Sequence, residues 1–402
     1  MSVVDSGFFL IPLLAVLAPI LGRMLGRWVR IPIVVFELVL GIVFGPSILG
    51  LIEPSELFSQ LSNLGLAMLF FMAGSEINFG AIAGRPIRRA SLGWLISLAA
   101  GVAAGFLLQP GEAAVVIGVA LCSTALGTLM PILRDAKELG TPFGQAVTAV
   151  GAVGEFGPLV AISLFLGARN LELSTLVLAA FILVAGGSIW LAMRAPHGRL
   201  HRFVNATLHT SGQVAVRIVF LILGALVVLS IWMDLDMLLG AFTAGIVWQL
   251  IMRNANHEDR EAVESKVEAV AFGFLVPVFF IYTGVTFDLD ALVSDWRVMV
   301  MVPILLVLLL IVRGLPSTLA LPVGSSRKDR MAMLLLGSTG LPIIVAVTAI
   351  GVDEGLISSG MASALVGAGM LSVLLFPLIG MSLHGDREVV TSPAYDPLVP
   401  PR

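Results

Sequence analysis

Thirteen stretches of about 20 apolar residues, set apart by connections of roughly ten, constrain this chain more than any motif does. They lie near 8–27, 31–52, 61–79, 89–108, 113–133, 144–168, 173–193, 213–231, 236–253, 267–287, 297–320, 330–350 and 357–381. A hydrocarbon core of about 30 Å takes roughly 20 apolar residues per helix, so each stretch reads as a span. Composition agrees: 58% of residues are hydrophobic and 12% charged, against roughly 25% charged in soluble domains. With a mean hydropathy of +1.03, lipid is the solvent. Cys122, the single cysteine, excludes an internal disulfide framework and a cysteine-rich metal site. The formal charge of −3 gives no reason to expect a nucleic-acid partner. No basic segment precedes the first apolar stretch, so it is expected to stay as a span and not to be cleaved as a signal peptide.

Basic residues orient the set. One side collects Arg23, Arg27 and Arg30; Arg85, Arg88 and Arg89; Arg134 and Lys137; Arg194, Arg199 and Arg202; Arg253, Arg260 and Lys266; and Arg327, Lys328 and Arg330. That is 17 of the 23 lysines and arginines. The other side holds Arg169 and Arg297 among Glu53, Glu56, Glu112, Asp234, Asp236, Asp288 and Asp290. The basic side is expected to be cytoplasmic, with the N-terminus outside and the C-terminus inside. Residues 384–402 are proline-rich and are expected to form a short disordered tail behind a transmembrane region over 1–383.

The second half echoes the first. Leu69-Phe70-Phe71-Met72-Ala73-Gly74 in the third span resembles Phe279-Phe280-Ile281-Tyr282-Thr283-Gly284 in the tenth. Ser123-Thr124-Ala125-Leu126 in the fifth resembles Ser338-Thr339-Gly340-Leu341 in the twelfth. Leu40-Gly41 to Gly45 in the second has a looser counterpart in Leu239-Gly240 to Gly245 in the ninth. The offset is seven spans, an odd number, so the copies are expected to be inverted. The expected layout is two six-helix repeats, about 8–168 and 213–381, joined by a linker helix near 173–193. Inverted repeats around a midplane site are a common design of secondary transporters. In the fifth and twelfth spans, hydroxylated residues with glycine, Pro131 and Pro342 weaken the helix ladder. Duplicated interruptions of this kind point to a binding site, although small residues also serve close helix packing.

Ionisable groups inside spans are functional hypotheses by default. Glu155 lies near the centre of the sixth span, in Gly151-Ala152-Val153-Gly154-Glu155-Phe156-Gly157-Pro158, where Pro158 frees a carbonyl one turn back. A carboxylate withdrawn from water lets protons compete with a cation, which is enough chemistry for exchange. Arg313, in the eleventh span, keeps its charge and is expected to pair with Glu155 or Glu76 or to tune Glu155. Glu76 closes the third span and fits a snorkelling or pairing role. Glu37 fits a structural role, and Arg217 reaches the inner headgroups. Histidines 197, 201, 209, 257 and 384 are expected in loops or the tail.

These residues resemble the membrane domain of bacterial monovalent cation:proton antiporters, the branch of Kef-type potassium and Nap-type sodium exchangers. The resemblance runs over nearly all of 8–381. It is carried by Ile31-Pro32 through Gly41, Gly45-Pro46 and Gly50; by Leu64-Gly65 through Gly74 with Glu76; by Cys122-Ser123-Thr124-Ala125-Leu126; by Leu239-Gly240 through Gly245; and by Pro277-Val278-Phe279-Phe280 through Gly284. It implies an all-α sodium/proton antiporter fold with crossing broken helices, a homodimer in the bacterial cytoplasmic membrane, and a core that moves like an elevator. It implies exchange of sodium or potassium for protons, as in pH homeostasis, with no cofactor. The family's ion-binding acid, the ligand of the transported metal ion, falls on Glu155, and its basic residue on Arg313. Thr124 and Ser123 lie beside the crossing, with Ser338, Thr339, Gly340 and Pro342 on its other half.

Two departures stand out. The family pattern has Asp at the position of Glu155, preceded by Asp, Asn or Gln, where this chain has Gly154. A single carboxylate suggests one cation for one proton. The chain as given also carries no nucleotide-binding domain, so regulation by NAD or glutathione is not expected from it alone. A sodium-coupled symporter of an organic anion is the alternative, though it calls for more polar side chains at the crossing. An intramembrane enzyme would need a Ser/His pair or two aspartates at depth, and no span centre holds His or Asp.

Overall fold

The computed structural model describes residues 3–25, 32–77, 82, 84–165, 171–194, 213–252 and 257–384. Every regular element among them is helical. Ten helical segments are long and apolar enough to cross a membrane, and shorter apolar helices lie at Ile33–Phe44, Glu172–Gly187 and Met237–Met252.

In chain order the helices are α1 (Val3–Leu25), α2 (Ile33–Phe44), α3 (Glu56–Glu76), α4 (Arg85–Leu108), α5 (Ala113–Leu121), α6 (Leu126–Asp135), α7 (Pro142–Phe165), α8 (Leu171–Arg194), α9 (Val214–Trp232) and α10 (Met237–Met252). There follow α11 (His257–Val270), α12 (Val276–Val285), α13 (Leu289–Val293), α14 (Trp296–Leu309), α15 (Arg327–Gly337), α16 (Pro342–Asp353) and α17 (Ser359–His384).

Burial sorts them. The segments Ala113–Met130 and Arg327–Asp353 are each 83% buried and Pro142–Phe165 is 78% buried, whereas Gly7–Met24 is 22% buried. The centre of the molecule is therefore α5, α6, α7, α15 and α16. Outer helices such as α1, α9 and α14 turn Phe9, Leu221, Trp232 and Val307 outward, as expected for a surface solvated by lipid.

Several helix pairs come close enough to need glycine, among them α2 with α12 and α10 with α3. A Cβ on Gly41 of α2 would lie 2.1 Å from the carbonyl oxygen of Ile281 in α12, and one on Gly245 of α10 would lie 2.0 Å from that of Phe71 in α3. Small residues of this kind let backbones pack without a side chain between them.

Three details differ from the sequence expectation. The tenth span begins well before residue 267: α11 starts at His257 and runs through a π turn, Ala271–Leu275, into α12. Its first turns are too polar for a hydropathy window, yet they hold as helix, with Arg260 and Glu264 paired at 2.6 Å one turn apart. His384 is not in a tail; it closes α17 and is buried. His257 opens a helix and is not in a loop. Histidines 197, 201 and 209, the basic residues 27, 30, 169, 199, 202 and 253, and the tail 385–402 lie outside the described residues.

Candidate functional site

The candidate site is built where two helical spans are interrupted in the buried centre of the molecule. Between α5 and α6, residues Ser123 to Ala125 are not helical, and neither are Thr339 to Leu341 between α15 and α16. A helix end leaves carbonyls without intrahelical donors, and each interruption supplies what the other lacks. Thr124 donates its hydroxyl to the carbonyl of Gly337 at 2.6 Å. The N–H of Ala125 donates to the carbonyl of Thr339 at 2.7 Å. Ser123 donates to Ala120 at 2.8 Å, and Ser338 to Leu334 at 2.6 Å, so these hydroxyls close the last turns of α5 and α15. Thr339 reaches Leu335 at 3.3 Å. Pro342 begins α16, where its missing N–H costs no hydrogen bond. Gly340 packs against Ser123, whose hydroxyl oxygen would lie 3.0 Å from an added Cβ.

Helix α7 crosses this point. Pro158 has no N–H to give the carbonyl of Gly154, and the N–H of Thr124 bonds that carbonyl at 3.0 Å instead. One turn of proline-weakened helix thereby fastens α7 to the first interruption and places Glu155 against α6. Glu155 is 4% exposed. Its Oε1 accepts from the N–H of Gly127 at 3.2 Å, and the N–H of Leu126 also faces it. These are orphan amides of the first turn of α6, where the helix dipole favours a negative group. Oε2 is buried and has no hydrogen-bond partner. One carboxylate oxygen is thus anchored and the other is buried without a partner.

Arg313 lies in a π turn, Leu310–Gly314, that interrupts the span after α14. It is fully buried. Nε donates to Thr124 Oγ1 and Nη2 to the carbonyl of Val150, both at 2.7 Å, while Nη1 has no partner. Among the described residues no carboxylate stands within salt-bridge distance of it. The expected ion pair with Glu155 or Glu76 is therefore not formed here, because Thr124 and α7 backbone hold the guanidinium. Glu76 sits at the end of α3, with Oε2 buried and unpartnered. Glu37 is buried in α2, and Arg217 is exposed near the start of α9.

The structure thus gathers Glu155, Thr124, Ser123, Gly340 and Arg313 at one crossing and leaves Glu76 at a helix end. Three contributors were not singled out from the sequence. Gly127 acts through its backbone N–H. Ser372 of α17 accepts from Gly340 N–H at 3.1 Å, and its hydroxyl proton is shared between the carbonyls of Gly369 at 2.7 Å and Gly340 at 3.1 Å. Ser317 donates to the carbonyls of Gly314 at 2.7 Å and Met333 at 3.1 Å, tying the arginine-bearing turn to α15. Lone serines in apolar spans were a readable signal for the last two; an amide carries none. Among the described residues no cluster of His, Cys, Asp and Glu could hold a resident metal ion.

Comparisons with known proteins agree with this architecture. GerN of Bacillus cereus, a Na(+)/H(+)-K(+) antiporter, is 29% identical over 372 residues, 89% of this chain and 91% of that one. YjbQ of Bacillus subtilis is 27% identical over 400 residues, and the chain spans 62% of that protein's length. The sodium proton antiporter MjNhaP1 of Methanocaldococcus jannaschii has the same fold, with a TM-score of 0.66 at 17% identity, covering 94% of this chain and 96% of that one. The family model for the transmembrane sodium/hydrogen exchanger matches residues 13–381. The chain is a multi-pass membrane protein and belongs to the sodium/hydrogen exchanger family.

Proposed function

We propose that this chain is a secondary antiporter that exchanges a monovalent cation, sodium or potassium, for protons, with Glu155 as the shared site. The observation that carries the reading is the divided carboxylate: Oε1 is held by the α6 amide, and Oε2 is buried without a partner. A buried acceptor left unsatisfied costs about 1–3 kcal/mol, more when charged, so Oε2 is driven to take either a proton or a cation. Binding of one displaces the other, and that competition is the exchange. Thr124 and Ser123 frame the carboxylate, and Arg313 supplies a fixed positive charge. With Gly154 in place of a second acid, one cation exchanges for one proton without net charge movement. The crossing hydroxyls are bonded to backbone carbonyls, which leaves little to recognise an organic anion and speaks against symport.

The thirteen-span inverted repeat is part of the same proposal, with cytoplasmic basic loops, the N-terminus outside, a homodimer and an elevator-like core in the bacterial inner membrane. Its support is a pairing of contacts. Under a seven-span offset, contact between spans two and ten maps onto contact between nine and three. Gly41 meets Ile281 and Gly284 in the first, and Gly245 meets Phe71 and Gly74 in the second.

The test uses everted vesicles from cells lacking their own antiporters, with an acridine dye reporting the pH gradient. Sodium or potassium should collapse the gradient in wild type and fail to do so in Glu155→Gln. A glutamine variant as active as wild type would show that another group carries the proton. A membrane-potential dye should stay silent during exchange; a response would overturn one-for-one stoichiometry.

A further inference from the structure

The imidazole of His384 is held between two carboxylates that belong to different parts of the core. Nδ1 lies 2.9 Å from Oδ1 of Asp329, and Nε2 lies 3.2 Å from Oε1 of Glu138. The ring is stacked on Phe143, with centroids 4.0 Å apart and planes 16° off parallel, and its side chain is 2% exposed. Both carboxylates are fixed from behind. Glu138 Oε2 accepts from Thr141 at 2.5 Å, and Asp329 Oδ2 accepts from the N–H of Ser326 in the capping box of α15 at 3.1 Å. Each therefore offers its remaining oxygen to the ring.

An ionised carboxylate only accepts, and a neutral imidazole has only one N–H. Only the doubly protonated ring can donate to both acids. The neutral ring must turn a lone pair toward one of them. The contact is thus whole or half-made according to a proton, and histidine is the side chain that changes charge between about pH 5 and 8.

What the ring joins gives this consequence. Glu138 follows α6, which holds Glu155 through its first turn; Phe143 begins α7, which carries Glu155; Asp329 begins α15, which ends at Gly337 in the crossing; and His384 ends α17, which holds Gly340 through Ser372. Of the other charged groups on the neighbouring elements, Arg134, Lys137, Arg327, Lys328 and Arg330 are exposed. Asp290, Arg297, Asp353 and Glu354 lie toward the Ser359 end of α17, and the neighbouring α2 carries Glu37. Glu138 and Asp329 are the acids against the ring.

We propose that His384 is a proton-dependent latch and a positioning residue for the ion site. Protonation clamps together one end each of α6, α7, α15 and α17, away from the residues by which these helices form the site. Deprotonation releases one contact and lets the site helices relax, which shifts the apparent affinity for the cation. This rests on the exchange reading for its effect on transport, but the latch itself can be read without transport.

The experiment measures thermal unfolding of the purified full chain between about pH 5.5 and 8.5, for wild type, His384→Gln and Glu138→Gln, beside the sodium dependence of exchange in vesicles. The four other histidines are the same in all variants, so their contributions cancel in the difference. The contribution of His384 is present when the ring is protonated and lost as pH rises, so the midpoint gap between wild type and His384→Gln should be widest in acid and close toward alkaline pH. In vesicles wild type should change its apparent KM for sodium several-fold across the same range, at nearly constant kcat, and both variants should flatten that change. Should His384→Gln not fold, Glu138→Gln gives the same reading, because a neutral amide keeps a hydrogen bond with either form of the ring. A midpoint gap independent of pH in the variants overturns the latch. A pH-dependent gap with KM unmoved overturns its link to the site. Absence of exchange in wild type counts against the antiporter reading, while the unfolding arm still decides the latch.

Discussion

The guanidinium of Arg313 stands where a side chain on Gly154 would go: a Cβ built on Gly154 would lie 2.6 Å from Arg313 Nη2. The same Cβ would lie 2.6 Å from Thr124 Oγ1. The glycine before the central acid and the buried arginine are therefore one arrangement. The space that a side chain at 154 would take is filled by a guanidinium delivered from another span.

Gly154→Ala is expected to be destabilising and to impair exchange. The arginine cannot simply swing aside, since Nη2 is bonded to the Val150 carbonyl at 2.7 Å and Nε to Thr124. Overpacking of this sort costs about 1–3 kcal/mol. Thermal unfolding of the purified protein measures the first effect and dye-reported exchange the second; a silent substitution would show that the guanidinium has other room.

Glu155→Gln should abolish exchange without lowering the unfolding midpoint. Its amide oxygen can keep the contact with the N–H of Gly127, seen here at 3.2 Å, while the buried charge is gone. Glu155→Asp should keep exchange but change the ratio of sodium to potassium transport, since the shorter side chain withdraws the carboxylate from the α6 amides. Paired ion titrations in vesicles distinguish the two.

Thr124→Val removes the acceptor of Arg313 Nε and the donor to the Gly337 carbonyl while keeping shape. Hydrogen bonds to charged groups contribute about 1.5–3 kcal/mol, so this variant should lose stability on that scale, whereas Thr124→Ser should be close to wild type. Equal midpoints for valine and serine would place the arginine's support elsewhere.

Ser372→Ala takes from the N–H of Gly340 its acceptor, at 3.1 Å, and from the carbonyls of Gly369 and Gly340 the hydroxyl proton they share. A loss of about 1 kcal/mol per bond is expected, together with weaker sodium affinity, because Gly340 belongs to the crossing. Unfolding midpoint and apparent KM should move together.

Gly245→Val should prevent assembly of the fold, since its Cβ would stand 2.0 Å from the carbonyl oxygen of Phe71 and neither backbone can yield. Gly224→Ala in α9 is the control: a Cβ there meets nothing within 4 Å, and replacing a helical glycine gains up to about 1 kcal/mol of helix propensity. Monodispersity on size exclusion compares them.

Membrane residence, the approximate place of most spans, both helix interruptions and the place of Glu155 in a buried span beside them were legible in the sequence. Lipid imposes length and composition on a helix whatever its partners, and a charge or a glycine–proline break inside such a helix stands out against the apolar background. The helical stretch before residue 267 was not legible, because its turns are polar and reveal their state only through continuity with the span. His384 was misplaced for a related reason: the prolines that follow it mark the end of order, but nothing local says that the last turn of α17 is roofed by Phe143 and two acids.

The partners of Arg313 could not be derived either. Charge alone directs an arginine toward the nearest acid, and several acids were available. Its actual contacts, Thr124 and the Val150 carbonyl, depend on a π turn in one span and, in α7, on the missing side chain of Gly154 and on the Gly154 carbonyl that Pro158 leaves to the N–H of Thr124. The sequence by itself determined which residues could bear ions within lipid, because solvation is a property of each segment. Which oxygen of Glu155 is anchored, which is left without a partner, and where the fixed positive charge stands were decided only by tertiary structure, because hydrogen bonds form between atoms that folding, and not sequence order, brings within 3 Å of one another.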